Sequence, residues 1–439
     1  MTNISNDLVN PLKMSNHPIT SCALCTCSNI QSQGDFVNSP LANNLYSNVF
    51  ESLSAPKYPL GLVVCMECGH LQLSYEVNPI ELFQNYTYKS GVSSALKHHF
   101  SELAHKLQAR YLMDSDKAPA ILDVGCNDGC LLDSFGELGF RTFGFEPAKN
   151  LLEEINPSHT IFNDFFDTTT VRDHSLFNIF DLITANNVFA HTRNLSGFAQ
   201  AAAHCLSKEG IFVFEVQYLR PLIEQGLFDM IYHEHTSYHH LTPLVKTLPK
   251  YGLNVFDAEL ISTHGGSIRV YCSKGVRPLS QSALEILSLE RDFFGESPFD
   301  LVEKVKQFYF NAQKNIKELD SLLISLIPDE SILWAYTSPA KATTWASVLS
   351  PMISASIQFI VDDSDLKQNQ FLPGTSAPIV STSTIKTMFS DHEDFLNRSV
   401  GIIFAWNIFD SLRDKLIDQH LGSGKFIVPM PRPRMVKLF

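Results

Sequence analysis

A five-residue apolar run, Ala120-Ile-Leu-Asp-Val124, passes directly into Gly125-Cys-Asn127-Asp128-Gly129, and a helical pattern opens at Leu131. No other feature constrains the fold as much. A short buried strand that turns through glycines into a helix is the first step of an α/β sheet. Further strands follow at Phe143-Gly-Phe145, Phe180-Asp-Leu-Ile-Thr184 and Gly210-Ile-Phe-Val-Phe-Glu215, with helical stretches between them. Such alternation predicts a parallel, Rossmann-like sheet covered by helices. Residues 281–327 carry apolar side chains at helical spacing, among them Leu284, Leu287, Val302, Val305 and Phe308. A second α/β rhythm then begins. It has strands at Ser331–Tyr336, Ile357–Val361, Gly401–Ala405 and Lys425–Val428, and a helix at Lys341–Leu349.

Residues 1–80 are turn-rich and short of long apolar segments, so this unit needs a staple. Cys22-Ala-Leu-Cys25 and Cys65-Met-Glu-Cys68, 39 residues apart, supply one. Two Cys-x2-Cys turns give a closed tetrahedral set of four thiolates, which points to structural Zn2+. Cys27 and His70 are rivals for a ligand position. The expected division is therefore a zinc-binding module at 1–80, an α/β core at 81–275 and a second α/β domain at 276–439.

Net charge is −13, which disfavours a nucleic-acid partner, since phosphate tracking needs clustered Lys and Arg. No apolar run reaches the roughly 18 residues that span a bilayer. The first 20 residues are polar and lack the pattern of a secretory signal, so a cytoplasmic location without membrane contact is expected. An odd count of nine cysteines argues against a disulfide framework.

The glycine loop reads as a site for an adenosyl cofactor. Asp123 ends the strand, Gly125 and Gly129 admit close backbone approach, and Asn127 and Asp128 stand between them. Glu146 closes the second strand, 21 residues after Gly125, where an acid can accept ribose hydroxyls. A dinucleotide needs Gly-x-Gly-x-x-Gly to seat its pyrophosphate. Here the spacing is Gly-x-x-x-Gly, and the Asp128 carboxylate suits the ammonium of a methionine-derived cofactor instead. Asn163-Asp164-Phe165-Phe166 offers an acid and aromatics to clamp an adenine, and Asn186 and Asn187 lie at the carboxyl end of a core strand.

The densest polar cluster is Tyr232-His233-Glu234-His235, followed by Ser237-Tyr238-His239-His240. His191 ends the segment that Asn186 opens, and Tyr86 and Tyr88 precede the core as a lid. The zinc-hydrolase spacing His-Glu-x-x-His is absent, because position 237 is Ser. His239 and His240 read as a surface cluster and are left out of the site.

These motifs, in this order, make the chain similar to the S-adenosylmethionine (SAM) dependent sugar C-methyltransferases that act on nucleotide-linked 4-keto-deoxysugars. The resemblance spans nearly the whole chain. It rests on the four cysteines with Tyr58-Pro-Leu60, Asp123–Gly129, Gly144-Phe-Glu-Pro147, Asn187-Val-Phe-Ala-His191, Tyr232–His235, Leu372-Pro-Gly-Thr375 and Ala405-Trp-Asn407. The family's Gly-x-Gly-Ala-Pro-Ala-Lys-Gly stretch stands here as Ala335-Tyr-Thr-Ser-Pro-Ala-Lys341-Ala: Pro339, Ala340 and Lys341 are kept and the glycines are not. The resemblance implies SAM and Zn2+ as cofactors. Its implied catalytic set is His235 as base, Tyr86 and His191 as donors to an enolate oxygen, and Tyr232 and Glu234 as orienting groups. Lys341 and Tyr88 would contact the substrate, Lys341 at its diphosphate. The implied substrate is a nucleoside-diphosphate 4-keto-sugar, dTDP-linked in the first instance, methylated at C3 by a monomer. The alternatives are an O- or N-methyltransferase, an NAD-linked sugar enzyme and a silent zinc-stapled binding module.

Overall fold

The computed structural model describes residues 16–83, 86, 89–92, 94–111, 118–326, 332–388, 392–421 and 424–438. Three sheets of four or more strands organise it, beside a two-stranded pair of His17–Pro18 with Tyr75–Glu76. The central sheet has seven strands in the order Asn254–Ile261, Ser267–Ser273, Leu206–Gln217, Phe180–Asn186, Ala120–Val124, Arg141–Phe145, Thr160–Phe162. The last five are parallel, as the alternation of strands and helices predicts. The first two add as an antiparallel hairpin, which the residue pattern does not announce. Its strands carry Asp257, Glu259 and Arg269, charges that break an apolar run. They are accommodated by pairing: Arg269 binds Glu215 at 2.9 Å and Glu259 at 2.9 Å.

The C-terminal sheet has six strands in the order Ile379–Val380, Ile357–Val361, Ile332–Tyr336, Ser399–Ile403, Lys425–Val428, Arg434–Val436. Five are parallel and the last is antiparallel. Counted along the chain, both sheets wind third, second, first, fourth, fifth, and then turn antiparallel. The strand order reverses beside the first strand in each, and open α/β sheets take ligands at that point.

The N-terminal unit forms a four-stranded antiparallel sheet from Ile30–Ser39, Tyr58–Cys65, Leu71–Leu73 and the distant pair Ser237–Tyr238. It buries more than its length suggests. Leu60, Leu62 and Val64 pack against Val302, Val305 and Phe308 of the helix Pro298–Leu326 and against Trp345. Each Leu or Val enclosed in this way contributes about 1.5–3 kcal/mol. The long helix starts at a proline, where a missing N–H costs nothing, and Ser297 and Asp300 cap it reciprocally. Its buried positions Leu301, Val305, Phe308, Ala312, Leu319 and Leu323 fall on one face.

His239 and His240 are not on the surface. Their exposures are 0% and 4%. The ring of His239 lies against Phe189 and His70, and that of His240 against Phe294. Their run of polar letters concealed two core side chains. No described helix is long and apolar enough to cross a membrane.

Burial holds both histidines neutral and pushes each down to about 3. The unfolded chain takes up those protons near pH 6.5, well before the folded state does. The contribution of these two histidines to stability is therefore present above pH 6.5 and is lost as pH falls towards 3. Melting curves should show the melting temperature declining between pH 6.5 and 5; a flat response over that window would contradict this account.

Candidate active site and metal centre

The two cysteine turns close on each other. Gly69, at φ +81°, finishes the second turn and donates its N–H to the Cys65 carbonyl at 2.9 Å. The Sγ atoms of Cys22, Cys25, Cys65 and Cys68 all lie within 4.8 Å of one another. Cys22 and Cys68 are 3.7 Å apart, and Cys25 and Cys65 3.5 Å. A disulfide would need about 2.05 Å. Zinc–sulfur bonds of about 2.3 Å in a tetrahedron set sulfur–sulfur edges near 3.8 Å, so the four thiolates fit Zn2+. The two rivals stand aside. Cys27 accepts from the Asn29 N–H at 3.3 Å, and His70 pairs with Ser237 at 3.1 Å. No other metal-ligand group occurs among the described residues.

The glycine loop is built for close approach. Gly125 has φ +67°, and a Cβ there would lie 2.6 Å from a Val188 methyl. The N–H groups of Gly125 and Cys126 both reach the Phe145 carbonyl, drawing the loop onto the second strand. Glu146 is buried, and its two oxygens accept from the Asn127 and Ala148 N–H groups at 2.8 Å each. Its carboxyl is pushed up by burial. Sheet register sets Thr184 opposite Asp123, and the threonine hydroxyl donates to that carboxylate at 2.6 Å. Burial pushes Asp123 up to about 7. Asn163 donates to the Glu146 carbonyl at 2.8 Å, and Asp164 stands exposed beside it. Asn187, at φ +55°, donates its N–H to the Glu215 carbonyl at 2.7 Å. Asn186 keeps a buried Nδ2 with no partner in the fold. An orphaned donor at a strand's carboxyl end, next to a cradle that a Cβ would fill, fits an adenosyl ligand.

Asn127 and Asp128 also serve a purpose the sequence did not reveal. Their side chains accept the N–H groups of Ser90 and Gly91, at 3.0 and 2.7 Å. The chain ahead of the helix Ser94–Tyr111 is thereby held over the loop. Asn150 continues the clasp, donating to the Tyr86 carbonyl at 2.8 Å.

The same strand end also delivers the second cluster. Five residues beyond Asn186, the His191 ring packs 5.1 Å from that of His235 and stacks on Phe83 at 5.9 Å. Burial pushes His191 down to about 4, so it is neutral at pH 7. His235 meets the Met230 carbonyl through Nδ1 at 3.0 Å and the Tyr232 hydroxyl through Nε2 at 2.7 Å. A carbonyl only accepts, so Nδ1 carries the proton and Nε2 presents a lone pair. Glu234 is buried between two donors, the Asn43 amide at 2.9 Å and the Tyr86 hydroxyl at 3.4 Å. Burial pushes its carboxyl up to about 7. The structure thus brings Tyr86, His191, Tyr232, Glu234 and His235 together. Tyr88 lies outside the described residues.

Lys341 opens the helix Lys341–Val348 and is 6% exposed, unlike a solvated helix lysine. Its ammonium sits over the Trp406 ring at 4.5 Å and donates to Asn407. Nearby, the wholly buried Asp229 accepts from the indoles of Trp345, at 3.0 Å, and Trp406. Asn43, Asn150 and Asp229 were missed from sequence. Only Asp229 offered a signal there, an acid three residues before Tyr232.

Comparison with known proteins finds three successive matches along the chain. Family models match as a zinc binding domain over residues 22–83, a methyltransferase domain over 96–258 and a C-methyltransferase C-terminal domain over 262–431. The chain is 27% identical over 427 residues to the C-methyltransferase NovU of Streptomyces niveus, covering 95% of this chain and 97% of that protein. Among solved structures, it is similar to the magnesium protoporphyrin IX methyltransferase of Synechocystis PCC 6803 with bound SAH (TM-score 0.32, 14% identity, 40% of this chain, 82% of that one). It is also similar to a SAM-dependent methyltransferase of Mesorhizobium loti (TM-score 0.32, 12% identity, 39% of this chain, 99% of that one). Scores this low carry no conclusion. The sequence matches displace the O-methyl, N-methyl and NAD-linked alternatives. Three domain matches in order and a relative aligned end to end make the chain a SAM-dependent C-methyltransferase with a zinc-binding N-terminal domain.

Proposed function

We propose that the chain methylates C3 of a nucleotide-linked 4-keto-deoxysugar through an enolate. One observation carries the reading: the tautomer-fixed, unprotonated Nε2 of His235 stands beside neutral His191. A carbon accepts a methyl only after losing a proton, and a neighbouring carbonyl eases that loss by spreading charge onto oxygen. The reaction therefore needs a base and oxyanion donors in one place.

Bound SAM supplies the methyl group on a sulfonium. His235 takes the C3 proton on Nε2, and the Met230 carbonyl stabilises the imidazolium that forms through its Nδ1–H bond. The Tyr232 hydroxyl donates to the Nε2 lone pair in the substrate-free protein and turns its O–H to the sugar on binding, which frees Nε2 for the C3 proton. Tyr86 and His191 donate to the enolate oxygen, and His191 does so as a neutral imidazole. Glu234 orients the sugar ring. Asp123, Gly125, Asn127, Asp128, Gly129, Glu146, Asn163, Asp164, Asn186 and Asn187 hold the cofactor.

The nucleotide half falls to the C-terminal domain. There the Ser338 N–H donates to Asp362 at 2.8 Å, as the Asn127 N–H does to Glu146 in the central sheet. Thr337, at φ +69°, stands where Gly125 stands. This repeat of a nucleotide-binding turn, with Lys341 at the following helix start, supports a diphosphate contact there. The work is divided among units at 1–80, 81–275 and 276–439, in a cytoplasmic monomer that takes a dTDP-sugar.

Incubation with nucleotide-linked 4-keto-sugars and labelled SAM should give a product heavier by one methyl, and C3 hydrogen should exchange in deuterated water. His235→Asn should abolish both, while S-adenosylhomocysteine still raises its melting temperature as in the wild type. Normal turnover by that variant would sink the base assignment. Tyr86→Phe and His191→Asn should each lower kcat by about 10²–10³, the usual effect of losing one oxyanion donor.

A further inference from the structure

Glu234 is met by a residue from a unit with no other evident part in the chemistry. Asn43 lies in the loop between the strand Ile30–Ser39 and the helix Val49–Leu53, at φ +61°, a conformation that asparagine tolerates. The loop is anchored from behind by the C-terminal domain. Tyr46 and Phe371 exchange backbone hydrogen bonds at 3.2 and 2.8 Å. The buried Ser52 hydroxyl reaches the Leu372 and Thr375 carbonyls at 2.8 and 2.9 Å. The segment Leu372-Pro-Gly-Thr375 thus braces the loop that carries Asn43 to the active site.

We propose that Asn43 is a positioning residue for methyl transfer: its amide binds Oε1 of Glu234 and leaves Oε2 as the oxygen that shares a proton with Tyr86. The inference rests on the enolate reading. An amide N–H only donates, so Oε1 must present a lone pair. Any proton on Glu234 then sits on Oε2, facing the Tyr86 hydroxyl. When Glu234 is protonated, Oε2–H donates to the phenol oxygen and the phenol proton can turn to the enolate. When Glu234 is ionised, it draws the phenol proton to itself. The groups acting on its charge are Asn43 and Tyr86, which favour ionisation, against burial; His233 and His235 flank it on its own segment, and His191 lies beyond His235.

Two variants test this. Asn43→Gly keeps the left-handed backbone and removes the donor. Asn43→Asp keeps the shape and replaces the donor with an acceptor. Both should lower kcat about tenfold to a hundredfold, the range for a hydrogen bond to a charged group, with the KM for the keto-sugar and affinity for S-adenosylhomocysteine within twofold. An infrared pH titration of the S-adenosylhomocysteine complex needs no sugar, so it can succeed or fail independently of the substrate reading. The carboxyl band that disappears in Glu234→Gln should persist to higher pH in Asn43→Gly. An unmoved band, or unchanged kcat in both variants, would overturn the proposal. So would loss of bound zinc or of melting temperature in both, which would mark a structural role.

Discussion

The Asp229 carboxylate lies wholly inside the protein, and two indole N–H groups from the C-terminal domain converge on one of its oxygens. A carboxylate in such a place is tolerable only with donors, since an unmatched buried charge costs several kcal/mol. Separating the C-terminal sheet from residues 228–231 would leave it without them. The contact continues on either side. Phe228 packs on Trp345 with ring centres 4.7 Å apart, and the Thr344 hydroxyl reaches the Ile231 carbonyl at 3.3 Å. Met230 lies between these anchors, and its carbonyl sets the tautomer of His235. The tautomer of His235 is thus fixed by how firmly the C-terminal domain grips the chain five residues earlier.

Burial rather than ion pairing sets the chemistry of the site. His191 is kept neutral by desolvation alone, and Glu234 is raised by desolvation against two neutral donors. A neutral imidazole can donate to an oxyanion and a carboxyl raised by burial can hold a proton, whereas a salt bridge would lock both. The charged network of the fold lies elsewhere, around Glu215, Arg269 and Glu259, where it settles the antiparallel hairpin onto the central sheet.

Much of this was legible in the chain. The strand ending at Val124, its glycine turn and Glu146 follow from local pattern, because a buried strand and a tight turn impose residue types that do not depend on distant parts. The cysteine pairs are legible for the same reason. The hairpin at 254–273 was hidden because buried charges satisfied by partners far along the chain look like surface. His239 and His240 were misjudged because neutral imidazoles packed against other rings read as polar letters. Asn43 was invisible, since its meaning lies in a partner 191 residues away. Resemblance to a family supplied roles for Tyr86, His191 and His235 that spacing alone did not, and geometry then supplied what holds each of them.

The N-terminal sheet takes its last strand from Ser237 and Tyr238, paired with Gln72 and Leu71. Growth from the ribosome proceeds in one direction, so the nascent sheet waits with an open margin while more than 160 further residues are made. An unpaired margin invites pairing with other chains. The N-terminal unit alone lacks the last strand of its sheet, and it gains that strand only with the segment that carries His235. Completion of the N-terminal sheet and placement of residues 232–238 are therefore tied to one contact.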